Sequence, residues 1–120
     1  MMATLGAALD TVEPGHVTIT APIAAGAQQQ HGFAHAGLTF ALGDSAAGYS
    51  ALSVLPEDAE VLTAEMKINL LAPGKGDRLI AIGRIIKPGR RLIVAASDVY
   101  AEEAGTRTLI AALMGTLVPV

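Results

Sequence analysis

Ala36-Gly37-Leu38-Thr39-Phe40-Ala41-Leu42-Gly43-Asp44-Ser45-Ala46-Ala47-Gly48-Tyr49-Ser50-Ala51-Leu52 is the stretch on which the fold turns. It is built from small and apolar residues apart from one carboxylate. At about 3.6 residues per turn, Leu38, Leu42, Ala46 and Tyr49 fall on one side of a helix. Asp44 falls on the other, with Gly37, Phe40, Ala41, Ala47, Gly48 and Ala51. A helix apolar on nearly all sides expects burial, so the stretch predicts one long helix from about His35 to Ser53. A carboxylate inside such a helix finds partners, shifts its pKa or does chemistry. The competing structural reading is a solvent-facing Asp at a gap in the packing.

Upstream of this helix, Glu13-Pro14-Gly15 is a turn signal between Leu5–Val12 and His16–Ile23, which predicts an opening β-hairpin. The segment from Ala24 to Ala34, rich in Gly, Ala and Gln, reads as a loop. Downstream, Leu55-Pro56-Glu57-Asp58 ends the helix, and Val61–Leu71 then alternates. Leu62, Ala64, Met66, Ile68 and Leu70 are expected on one face of a strand, and Thr63, Glu65, Lys67 and Asn69 on the other. Arg78–Ile86, Leu92–Tyr100 and Thr108–Val118 read as further strands. They are separated by turns at Lys87-Pro88-Gly89-Arg90 and Glu102-Glu103-Ala104-Gly105. Their short connections predict an antiparallel meander. The fold class is therefore α+β, with one long central helix wrapped by a curved antiparallel sheet. One helix cannot cover a sheet of this extent, and oligomerisation is the usual remedy for the apolar surface left over.

Composition narrows the function. The 120 residues suffice for a single domain over 1–120 with a real core. Hydrophobic residues make up 52% of the chain, yet no apolar run reaches the ~18 to 20 residues of a membrane span. The N-terminus lacks the charge and apolar pattern of a secretory signal. There is no cysteine, which excludes disulfides and thiolate metal sites and fits a cytoplasmic protein. The net charge is −3, and every Lys and Arg falls between Lys67 and Arg107. An acidic chain with two Phe, two Tyr and no Trp is not the composition of a nucleic-acid binder.

Several clusters compete as chemistry. Gly43-Asp44-Ser45 lacks a downstream His and a Gly-x-Ser-x-Gly elbow, so Ser45 reads as a small helix residue rather than a nucleophile. His31 and His35 have a spacing that suits two metal ligands on one helix, but Gly32-Phe33-Ala34 between them reads as loop, and no Glu stands beside them. A loop-ending, hydrogen-bonding role suits His35 better. Lys87, Arg90 and Arg91 form the densest positive cluster, either a solvated turn or a place for phosphate. The backbone N–H groups of Ala36 and Gly37 lie at the helix start, without intrahelical acceptors and at the positive end of the dipole. They can polarise a carbonyl or simply be capped.

Taken together, His35 to Gly48, Thr63-Ala64-Glu65-Met66-Lys67-Ile68-Asn69-Leu70-Leu71-Ala72-Pro73 and Gly83-Arg84 to Pro88-Gly89-Arg90 resemble the hot-dog-fold thioesterases of the phenylacetate-pathway (PaaI-like) group. The resemblance runs from about Gln29 to Val118. It implies hydrolysis of an acyl-CoA or aryl-CoA thioester with no metal or redox cofactor. Asp44 matches the carboxylate that acts as nucleophile or general base, and Ala36 the position whose N–H polarises the thioester carbonyl. Gln29 matches the amide that holds substrate or water, and Thr63 a hydroxyl near the water. His35 and Gly37 flank Ala36 on the substrate side, and Lys87, Arg90 and Arg91 are the expected phosphate contacts. In this family the site spans a dimer interface, which implies a dimer or a dimer of dimers. Two departures stand out: Ala36 replaces the first Gly of the family's His-Gly-Gly, and the N-terminal helix of many relatives is missing. The second departure is expected to open one end of the acyl tunnel. Two other readings are a hot-dog protein that binds acyl-CoA or another hydrophobic ligand without hydrolysing it and, less well supported, a hydratase or dehydratase. The latter usually pairs a His with the acid, and no His follows Asp44.

Overall fold

The computed structural model describes all residues, Met1–Val120. Pro14 and Gly15 make the first turn, where Gly15 takes φ +77°, a value that glycine adopts without steric cost. Strands β1 (Ala8–Glu13) and β2 (His16–Pro22) close on it as the expected hairpin, although Leu5–Ala7 lie outside β1. A short 3-10 turn at Ala25–Ala27 follows, then helix α1 (Ala36–Leu52), with His35 and Ser53 as its caps. The remaining strands are β3 (Val61–Leu70), β4 (Arg78–Lys87), β5 (Ile93–Glu103) and β6 (Thr106–Pro119).

All six strands join one antiparallel sheet in the order β1-β2-β4-β5-β6-β3. The expected meander therefore holds for β4, β5 and β6 but not for β3, which crosses to the far edge beside β6. Residues 71–77 make this possible. Seven extended residues reach up to about 24 Å, enough to pass several strands about 4.8 Å apart. The Ala34 N–H donates to Gly74 O and the Ile23 N–H to Asp77 O, which ties the crossing down near the helix start. The turn between β5 and β6 is also shorter than the sequence suggests. Glu102 and Glu103 belong to β5, and only Ala104 (φ +50°) and Gly105 (φ +83°) make the turn.

The sheet curls around α1. Leu38, Leu42, Ala46, Ala47 and Ala51 are buried against Val17 and Ile19 of β2, Leu79 and Ala81 of β4, Val99 of β5 and Leu113 and Leu117 of β6. Helix and sheet approach closely at Gly83, where a Cβ would run into the Ala46 backbone. Opposite Gly83 across the β4–β5 ladder, the buried Ser97 hydroxyl donates to Gly43 O at 2.6 Å. That bond fixes the height of the helix over the sheet one residue before Asp44. The outward side of α1 is different. Phe40 and Tyr49 are exposed and Asp44 is half-buried, so a single chain does not enclose the helix on all sides. Leu62, Leu70 and Leu71, along the free edge strand and just beyond it, are each more than half exposed.

Candidate active site

At its start, α1 has four N–H groups with no intrahelical acceptor. Leu38 and Thr39 donate to the His35 carbonyl, and the Gly37 N–H donates to His35 Nδ1 at 2.8 Å. His35 is thus the helix cap that the sequence favoured over a metal ligand, while His31 lies exposed in the preceding loop. Gly37 is thereby corrected as a free donor, since its N–H is taken by the cap. The Ala36 N–H alone keeps no protein acceptor. Beside it, Gln29 Oε1 accepts from the Phe33 N–H at 3.4 Å and from the His31 N–H. These bonds hold the Gln29 side chain in place while leaving its Nε2 without a protein acceptor. Gln29, Phe33, Ala36, Thr39, Leu70, Leu71, Pro73 and Ile110 line a cavity of about 510 Å³.

Asp44 lies in a second cavity of about 250 Å³, with Ser45, Gly48, Tyr49, Leu52, Val61, Thr63 and Leu117. The Thr63 hydroxyl donates to Asp44 Oδ1 at 2.7 Å, and Oδ2 has no protein donor. Strict alternation would have kept Thr63 off the face that carries Met66 and Ile68. A bulge between Thr63 and Glu65 corrects that expectation. With Ala64 as the extra residue, Thr63 pairs opposite the inward-facing Leu117 and shares the helix side with Met66 and Ile68. An extra residue in one strand flips the parity of everything before it.

The structure does not bring all the sequence-derived candidates into one place. Ala36 and Asp44 are eight residues apart on one helix, about 12 Å along its axis. Lys87, Arg90 and Arg91 are exposed on the β4–β5 turn and make no ion pair. That turn lies toward the far end of α1, where the Ile85 N–H donates to Gly15 O and the Gly15 N–H to Ser53 Oγ. Sequence reasoning did not single out Tyr49, Leu52, Val61 and Leu117 as cavity walls, or Ser97 as the anchor under Asp44. Nothing local marks Val61, Leu117 and Ser97, because their contacts join distant parts of the chain, and Tyr49 and Leu52 become walls only where β3 and β6 meet the same side of α1. No helix is long and apolar enough to cross a membrane.

Residues 31–108 match the family model described as the thioesterase superfamily. This chain belongs to that superfamily. Its single long helix in a six-stranded antiparallel sheet is the hot-dog fold. A crystal structure of a thioesterase family protein from Silicibacter pomeroyi is 44% identical, with a TM-score of 0.96, over 99% of this chain and 88% of that one. Staphylococcus aureus SAV0944, described as a thioesterase enzyme, was solved as a Gln-to-Ala mutant that is 25% identical over 98% of this chain and 96% of its own, with a TM-score of 0.90. It was also solved as a Glu-to-Ala mutant. A Bacillus halodurans protein solved with CoA is 27% identical over 86% of this chain and 66% of its own, with a TM-score of 0.79. Among curated proteins, SSO1253 of Saccharolobus solfataricus, named as a candidate esterase, is 36% identical over 87 residues. Those residues are 72% of this chain and 55% of that protein, so the match spans about half the relative's length.

Proposed function

We propose that this superfamily member hydrolyses acyl-CoA thioesters in a site completed by a second copy of the chain. The observation that carries the proposal is the separation of the two reactive groups. A free carboxylate oxygen on Asp44 and a free Ala36 N–H belong to residues about 12 Å apart along the helix axis, too far to meet one carbonyl within a protomer. The Asp44 cavity is bounded by the Val61–Thr63 end of β3, and the Ala36 cavity by the Leu70–Leu71 end. β3 is an edge strand with apolar residues exposed along it. Such an edge is a template for pairing. Antiparallel pairing of two β3 edges about a two-fold axis sets the Val61 end of one strand beside the Leu70 end of the other. Each Asp44 cavity then joins the Ala36 cavity of the other protomer.

In the joined site the thioester carbonyl oxygen accepts from the partner subunit's Ala36, whose N–H stabilises the oxyanion as the carbonyl carbon becomes tetrahedral. Asp44 Oδ2 either takes a proton from the attacking water and returns it to the departing CoA sulfur, or attacks the carbon itself, expels the CoA thiolate and leaves an acyl anhydride that water then hydrolyses. Thr63 holds Asp44 through Oδ1, and the partner subunit's Gln29 offers its Nε2 to the substrate or water. His35 keeps Gly37 occupied, so that the Ala36 N–H is the donor left over. Lys87, Arg90 and Arg91 are assigned to the CoA phosphates. The comparisons support this reading in two ways. A relative has been solved with CoA. The Gln and Glu replaced in the S. aureus thioesterase are also separated in sequence just as Gln29 and Asp44 are.

A mixing experiment tests both the chemistry and the shared site. Asp44→Asn removes the base, and loss of about 100-fold to 10,000-fold in thiol release is expected. Ala36→Pro deletes the N–H at the first helical position, where proline is well tolerated, and His35 already has the extended backbone that must precede proline. Each variant is expected to be nearly inactive alone. Unfolding and refolding the two together restores roughly a quarter of the parent rate, because half the dimers are mixed and each has one intact site. No recovery means the site is not shared. An Asp44→Asn protein that keeps the parent rate means that Asp44 is not the catalytic base, and a parent protein that releases no thiol returns the chain to a ligand-binding role.

A further inference from the structure

Helix α1 carries three glycines, and packing accounts for two of them. A Cβ at Gly37 would lie 3.0 Å from the capping His35 Nδ1, and one at Gly43 would lie 2.8 Å from the Leu113 side chain. Gly48 is different. A Cβ there would meet only Leu117 Cδ2, at an ordinary 3.8 Å, and its φ is not in the left-handed range. Glycine in a helix interior weakens the helix, and the fold returns nothing for it at this position. What Gly48 does adjoin is the Asp44 cavity. It stands four residues beyond Asp44, on the same face and one turn along. That cavity is polar at the end formed by Asp44, Ser45 and Thr63. Leu52, Val61, Leu117 and Tyr49 make the rest of its lining, with Leu117 facing Gly48.

On the thioesterase reading above, on which this inference rests, the geometry points to Gly48 as the residue that sets how bulky an acyl group can lie beside Asp44. The carbonyl carbon sits at the polar end. The acyl carbons distal to it run over the bare backbone of Gly48 onto Leu117 and Leu52. One helical turn is about 5.4 Å, so a side chain at this position takes away room several carbons from the carbonyl and leaves the carbonyl's own surroundings intact. The site is therefore built for an acyl group with bulk beyond its first two carbons, a medium-chain or ring-bearing acid rather than acetate.

The test is thiol release from acetyl-CoA, hexanoyl-CoA and benzoyl-CoA by the full chain and by Gly48→Ala and Gly48→Leu. For Gly48→Leu, the ratio of kcat/KM for the two larger substrates to that for acetyl-CoA should fall by roughly tenfold or more, the discrimination available to a methylene-scale change in an apolar pocket. Gly48→Ala should fall in between, with a Tm at or above the parent's, because its Cβ has room. Unchanged ratios in folded variants would overturn the role of Gly48 while leaving the thioesterase reading standing. So would a loss of stability in Gly48→Ala, which would make the glycine a packing requirement. A parent protein that releases thiol from none of the three would overturn the thioesterase reading, and this inference with it.

Discussion

Thr63 reaches Asp44 because the strand ahead of it contains one residue more than its partner. The resulting bond is 2.7 Å from hydroxyl to carboxylate oxygen. It ties down one carboxylate oxygen and leaves the other for substrate. Thr63 is a positioning residue on this view, so Thr63→Val, which keeps the shape and removes the hydroxyl, should lower kcat about tenfold. KM should stay near the parent value. Thr63→Ser should recover most of the loss, since it restores the donor. A Val variant with parent kcat would show that Asp44 needs no such partner.

At the scale of elements, the β4, β5 and β6 ends nearest the helix start are joined by a charged cluster. Glu102 of β5 accepts from Arg78 Nε at 2.9 Å and from Arg107 Nε at 3.2 Å, one oxygen to each. The Arg78 hydrogen bond first, and then that of Arg107, holds the Glu102 carboxyl below the usual carboxylate range. The Arg78 guanidinium is pushed up correspondingly, first by its hydrogen bond to Glu102. A depressed carboxyl stabilises the fold above its unfolded pKa and loses that contribution as pH falls through its folded pKa. Glu102→Gln should therefore lower the urea midpoint at neutral pH, and the gap to the parent should close under acid, below the ordinary carboxylate range. A gap independent of pH would mean that the glutamate acts through packing alone. Sequence placed Glu102 in a turn because a run of charges followed by Ala-Gly resembles one. Its strand character comes from backbone pairing on both sides, opposite Arg78 and Arg107.

At the scale of the whole molecule, one cluster of exposed cations sits at one end of the sheet. Lys87, Arg90 and Arg91 project from the β4–β5 turn, at the end of the sheet where Ile93 and Thr63 flank Leu117. Cations with no partner on an acidic protein attract an anionic ligand most strongly where salt is low. The double variant Arg90→Ala, Arg91→Ala should raise KM for acyl-CoA severalfold at low ionic strength and progressively less as salt is added, with kcat little changed. An unchanged KM at low salt would make these residues an ordinary solvated turn.

The sequence by itself determined the helix, its caps to within a residue, the opening hairpin, the antiparallel β-rich second half and the residues at which chemistry is to be sought. These follow from local signals: composition over a few turns, period-two alternation, and Pro-Gly turns. Only the tertiary structure decided that β3 lies at the far edge, that Ala64 bulges and turns Thr63 toward Asp44, and that His35 takes the Gly37 N–H and leaves that of Ala36 free. Each of these depends on contacts between residues far apart in the chain or on a one-residue shift in pairing, and neither leaves a mark in the local pattern. The eight-residue step from Ala36 to Asp44 could be counted from the start. Its meaning came from seeing a free donor, a free carboxylate and an unpaired edge strand on one protomer.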